Sequence, residues 1–167
     1  MADEAANAGA APQAPQVKLQ ILGQYTRDMS FENIVAQKNL NSGMIPAISV
    51  QVSLEARKKK DVEHRYEVFT KYKIEAKNKD GEEVLFLLEL DYGGIFHIEN
   101  VPEEQMHPFL MIECPRMLFP FARRIVHDVI RDGGFPPVNL DTIDWVSLYR
   151  NNLMQQAAAA QAAGNTQ

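Results

Sequence analysis

The sequence predicts an α+β fold: a four-stranded antiparallel sheet with helices packed on one face. Two observations predict it. Apolar and polar residues alternate with strand period before the Gly93-Gly94 pair, and apolar residues recur at helical spacing after Asn100. Strands therefore come first and helices afterwards, which segregates the helices to one side of an antiparallel sheet. A chain of 167 residues with 46% hydrophobic residues fits one domain with a real core. Residues 17–153 carry that pattern. Residues 1–16, rich in Ala, Pro, Gln and Asn, and the Ala/Gln-rich residues 154–167 have too few large apolar side chains to offset chain entropy. They are predicted to be a disordered N-terminal tail and a flexible C-terminal one.

Val17, Leu19 and Ile21 alternate with Lys18, Gln20 and Leu22, and Tyr25 to Glu32 continues as extended chain. The polar stretch 33–46, with Asn41-Ser42-Gly43, is predicted to be a crossover loop. Ile48, Val50, Val52 and Leu54 alternate with Ser49, Gln51, Ser53 and Glu55, giving a strand with one wet face. The basic run Arg57 to Lys60 makes a turn. Tyr66, Val68, Tyr72, Ile74 and Ala76 share one parity of the next strand, and Glu67, Lys71, Lys73, Glu75 and Lys77 the other. Asn78-Lys79-Asp80-Gly81 predicts a tight hairpin, since Asp-Gly favours positive φ. In the fourth strand Val84, Phe86, Leu88 and Leu90 face the core, and Leu85, Leu87, Glu89 and Asp91 face outward. The short links make strands two to four a meander.

Helix signals follow. Asn100 is a candidate cap, Pro102 suits a first turn, and Glu103 and Glu104 complement the helix dipole. Pro115 lacks an N–H and predicts a break. Beyond it Leu118, Phe121, Ile125 and Val129 form one apolar stripe, with Ala122, Val126 and Ile130 beside it. Gly133 and Gly134 stop the run. Two stripes are more than one sheet can cover, so Leu118, Phe121, Ala122, Ile125, Val126 and Val129 are predicted to form a subunit interface. A last amphipathic helix of about three turns starts near Asp141, its predicted cap, and carries Trp145, Leu148, Tyr149 and Leu153.

Reactive constellations are absent from this pattern. The four histidines, at 64, 97, 107 and 127, have no partner at metal-ligand spacing; Gly93-Gly94 lacks the Lys-Ser/Thr of a phosphate loop; and no Gly-x-Ser-x-Gly occurs. No catalysis, metal or cofactor is expected. The net charge of −5 argues against nucleic acid. A single cysteine excludes an internal disulfide framework and fits a reducing cytoplasm. No leader pattern is read at the N-terminus, and no apolar run approaches the ~18 residues that span a bilayer, so membrane insertion is not expected.

Binding surfaces are better marked. Leu85 and Leu87 sit beside Glu89 and Asp91 on the outward parity, a candidate partner surface. Trp145 and Tyr149, one turn apart, with a loop bearing Leu40, Met44 and Ile45, make a candidate groove against the second strand. Flexible Met-bearing and aromatic surfaces can repack around different apolar segments.

The runs Gly93-Gly94-Ile95-Phe96, Cys114 to Arg123 (CPRMLFPFAR), Gly133 to Leu140 (GGFPPVNL) and Tyr25 to Glu32 (YTRDMSFE) together resemble the SecB family, bacterial chaperones for protein export, over Val17 to Leu153. The resemblance implies an ATP-independent holdase in the cytoplasm that binds unfolded preproteins and delivers them to the motor SecA. By the same resemblance Asp28, Glu32, Leu87 and Glu89 would dock SecA, and Met44, Ile48, Val50, Val52, Trp145 and Tyr149 would line the client groove. It also implies a homotetramer, a dimer of dimers in which first strands pair across each dimer. Two alternatives remain: an antitoxin chaperone on the same fold, and an α+β protein with a small-ligand pocket under Trp145.

Overall fold

The computed structural model describes residues 14–40 and 43–164. Most of the N-terminal tail, Asn41 and Ser42 of the crossover, and residues 165–167 lie outside the described residues. The elements run β1 (Lys18–Asn33), α1 (Ile34–Lys38), β2 (Pro46–Lys58), β3 (Arg65–Asn78), β4 (Val84–Glu99), α2 (Glu103–Asp132) and α3 (Trp145–Gly164). The strands form one antiparallel sheet in the order β1-β4-β3-β2. This is the α+β architecture read from the sequence. β2, β3 and β4 are the meander, and β1 joins on the far side of β4.

β1 stays paired with β4 along its 16 residues by way of two register shifts, between Ile21 and Gly23 and between Thr26 and Asp28. Each leaves one residue extra, Leu22 and Arg27, and a bulge re-aims the side chains after it. β4 runs straight through the glycine pair for a steric reason. A Cβ on Gly93 would lie 2.4 Å from the Phe69 ring on one face, and a Cβ on Gly94 would lie 2.8 Å from Leu118 of α2 on the other.

The core lies between one sheet face and α2. Tyr72, Ile74, Phe86, Leu88, Leu90, Phe96 and Ile98 meet Leu110, Cys114, Leu118, Ala122, Val126 and Ile130 there. α3 packs on α2, and α1 on β4. Phe69, on the other face, is also fully buried.

Six local expectations need correction. The break at Pro115 is not there: α2 is continuous for 30 residues with Pro108, Pro115 and Pro120 inside it. A mid-helix proline costs about 3 kcal/mol. Each large side chain of the buried row contributes about 1.5–3 kcal/mol, and a break would separate Leu110 and Cys114 from the rest of that row. Asn100 does not cap α2. It adopts φ 65° and its side-chain N–H donates to the Gln16 carbonyl at 2.8 Å, tying the approach to β1 to the end of β4. The β3–β4 hairpin does not use positive φ at Gly81; it closes through Gly81 N–H to the Asn78 carbonyl, with Asp80 N–H on the Asn78 side chain. The crossover is not all loop, because Asn33 caps α1 by accepting from Ala36 N–H and Asn39 ends it at φ 52°. Asp144, rather than Asp141, caps α3, accepting from the backbone N–H and the hydroxyl of Ser147. α3 also runs 20 residues instead of three turns, its second half being mostly alanine, the best helix former.

The glycine pair yields a stability test. Phe69 is held between Gly93 and two guanidinium groups, so Gly93→Ala has no free space to claim. We expect it to lower stability by about 1–3 kcal/mol. Gly23→Ala, which meets nothing within 4 Å, should change it by less than about 0.5 kcal/mol. Urea unfolding followed by the fluorescence of Trp145, the only tryptophan, measures both.

Candidate functional site

The sheet face away from α2 carries the first surface. Strand register sets Asp28 opposite Asp91, Ser30 opposite Glu89, and Glu32 opposite Leu87. Asp28, Glu32, Leu87 and Glu89 therefore occupy neighbouring positions on the β1–β4 half of one face. Asp28 and Glu32 are exposed, and Leu87 and Glu89 are half-buried. Leu85 does not join them. It is fully buried beneath α1 and the Gly133–Pro136 segment, beside Val35 and Met44, so the apolar part of this patch is Leu87.

The bulge at Arg27 organises the electrostatics. Like charges directly opposite one another destabilise a sheet, and Asp28 faces Asp91. Arg27 donates to Asp91 at 3.0 and 2.7 Å and to Glu55 at 3.1 Å. The Asp91 hydrogen bond is the main reason its own pKa is raised, against some desolvation. The same guanidinium lies 3.7 Å above the Phe69 ring, with Arg57 at 5.0 Å and Tyr25 edge-on. Arg57 is fixed in turn by Glu67 at 2.7 Å. An aromatic ring on the face away from α2 is thus covered by side chains of β1 and β2. Glu89 sits near Lys71 at 3.5 Å and Lys73 at 3.8 Å.

The second surface is a cleft of about 430 Å³ between β2 and the α2–α3 linker, lined by Ile48, Val50 and Val52 and by Val138 to Ile143. Ile48 is 37% and Val50 43% exposed. The other expected groove residues lie elsewhere. Met44 lines a neighbouring cavity of about 260 Å³ with Val35, Leu85 and Phe135. Trp145 is 3% exposed, packed edge-on to Phe119 in the core. Tyr149 is half-buried, its hydroxyl 3.1 Å from His107 Nδ1. The wall of the cleft is the 138–143 linker, which the sequence reading did not single out; Val138, Leu140 and Ile143 following a Pro-Pro pair were the available signal.

The two stripes of α2 also divide. Leu118, Ala122 and Val126 are fully buried on the sheet, so they are unavailable to a partner subunit. Phe121, at 42% exposed, and half-buried Ile125 and Val129 face away from it. Cys114 is fully buried, and burial pushes its thiol up to about 12, so it is held as the unreactive thiol. Among the described residues no group of three or more His, Cys, Asp and Glu could hold a metal ion. Among them, too, no helix is long and apolar enough to cross a membrane.

An open apolar cleft on one sheet face and a charged strip on the other, on an α+β frame, are surfaces of the kind a binding protein presents. The chain belongs to the SecB family: the family model "Preprotein translocase subunit SecB" matches residues 12–156. It is 65% identical over 160 residues to the protein-export protein SecB of Cereibacter sphaeroides, covering 95% of this chain and 96% of that one. It is 60% identical to the protein of that name in a Ruegeria species, over 97% and 98% of the two chains. Among solved structures, a SecB-like chaperone of Mycobacterium tuberculosis in complex with a peptide from an antitoxin superposes with a TM-score of 0.62. That match has 11% identity and covers 75% of this chain and 91% of that one, a likeness of fold. The chain is a protein-export chaperone.

The division of α2 sets a test for its two stripes. Val126→Asp buries an unpaired carboxylate and should cost about 3–5 kcal/mol, whereas Phe121→Asp should retain the near-UV circular dichroism of the native fold. Thermal unfolding of the two variants checks the assignment; equal loss in both contradicts it.

Proposed function

We propose that this chaperone holds unfolded secretory precursors in the cytoplasm without ATP and without catalysis, and hands them to SecA. The observation that carries the reading is the cleft beside β2, where Ile48 and Val50 remain exposed on a strand whose residues 46–54 carry no charge. An extended apolar segment of a client would cover those side chains. Binding the unfolded chain alone shifts a client's folding equilibrium by mass action, so holding needs no nucleotide. Ile48, Val50 and Val52 form the centre of the client site. Met44 extends it through the neighbouring cavity, Trp145 acts by fixing the linker that walls it, and Tyr149 offers a further aromatic contact. The peptide bound by the Mycobacterium tuberculosis relative supports such a use of the fold.

The outer face is the SecA dock in this reading. Asp28, Glu32 and Glu89 would meet basic side chains, steering encounter, and Leu87 would supply apolar contact. A homotetramer, a dimer of dimers, would cover Met117, Phe121, Ile125 and Val129 of α2 and the unpaired edge of β1, both left open in a single chain. Four copies would offer a long client several weak sites at high effective concentration.

Suppression of aggregation of a denatured secretory protein, measured by light scattering without ATP, tests the reading. Ile48→Ser with Val50→Ser should weaken holding about tenfold or more, the loss of roughly 1.5–3 kcal/mol of apolar contact, and leave SecA affinity unchanged. Asp28→Ala with Glu89→Val should do the reverse. Full holding by the serine variant would refute the cleft as the client site.

A further inference from the structure

Glu89 differs from Asp28 and Glu32 in being already engaged by the protein itself. Lys71 Nζ lies 3.5 Å from one of its oxygens and Lys73 Nζ 3.8 Å from the other. Lys73 stands directly across from Glu89 on β3, and Lys71 across from Asp91. On their other side the two lysines face Gln51 and Ser53 of β2, which carry no charge. Asp91 is taken by Arg27, so Glu89 is the carboxylate these lysines pair with. Asp28 and Glu32, by contrast, make no ion pair among the described residues. The outer face therefore carries free carboxylates on β1, is self-neutralised where β4 meets β3, and is uncharged on β2 at Gln51 and Ser53, beside the lysines.

A basic partner element arriving on the β1–β4 half meets Asp28 and Glu32 free. To use Glu89 it must draw that carboxylate from two lysines, which are then left as like charges beside it. Both lysines are about half exposed, 51% and 49%, and Glu89 is 40% exposed. Exposed pairs of this kind are weak and exchange readily. They can be displaced, at a modest loss of affinity.

We propose that Lys71 and Lys73 are internal competitors for Glu89 that keep the docking of a basic partner weak and readily reversible. The proposal rests on the outer face being the SecA dock. A carrier that must release its client at the motor and leave is served by a contact that forms by charge steering and breaks easily; two lysines facing a docking carboxylate supply that property.

The test measures the affinity of purified SecA for the full chain at low and physiological salt. Lys71→Gln with Lys73→Gln should tighten binding about three- to tenfold at low salt, chiefly through slower dissociation, and less as salt screens the face. In a Glu89→Gln background the same pair should gain less than half as much, because no carboxylate is released. Glu32→Ala with Leu87→Ala, with both lysines kept, is the control for the dock. If that control leaves affinity unchanged, the outer face is not the dock, and both readings fall. If the control weakens binding but the double glutamine variant does not tighten it, the dock stands and the competitor role is overturned. A gain of undiminished size in the Glu89→Gln background would make the lysines general repulsive charges, and that also overturns it.

Discussion

The packing of one row of α2 against one face of the sheet is the constraint on which the rest depends. Leu118, Ala122, Val126 and Ile130 are spaced four residues apart and fully buried on that face. Gly94 clears the space for Leu118. This burial carries the helix through three prolines and commits one sheet face to the core. The opposite face and the β2 margin are then free to bind. A helix broken at Pro115 would have separated this row from Leu110 and Cys114 and left the fold without a rigid centre.

The uncovered face needs its own solution, since an open sheet with an aromatic residue invites association. Phe69 is covered by Arg27 and Arg57 instead of by a helix. Exposed cation–π contacts contribute about 0.5–1 kcal/mol each, so the cover is light, but its polar outer side remains in water. Arg27 reaches this place because β1 bulges there. The same bulge sets Asp28 outward, and Arg27 relieves its repulsion with Asp91. The stability of the face and the availability of its free carboxylates thus come from one local irregularity.

Much of this was legible in the sequence. Strand parity placed Val84 to Asp91 correctly apart from Leu85, and strict alternation found β2. The runs at 93–96, 114–123 and 133–140 pointed to the family that the comparisons assign. What could not be read was which of two adjacent helical stripes the sheet takes. Periodicity gives both Leu118-Ala122-Val126 and Phe121-Ile125-Val129, and only the position of Gly94 under Leu118 decides. Parity sets Leu85 outward, and its cover, α1, is too short to announce itself in the sequence. Helical spacing sets Trp145 and Tyr149 on one face but says nothing about the Phe119 ring on which Trp145 packs. The linker 138–143 has no period at all, so its role as a cleft wall comes from tertiary contact alone.

The central claim is that the two sides of one sheet do different work: the β2–linker cleft for unfolded clients, the outer face for SecA. Amide hydrogen exchange read by mass spectrometry, on the chaperone alone, with a denatured precursor, and with SecA, tests it most directly. The account predicts added protection at residues 46–54 and 138–143 with the precursor, and at 26–33 and 85–91 with SecA. Protection of the same segments by both ligands, or of neither set, would contradict it.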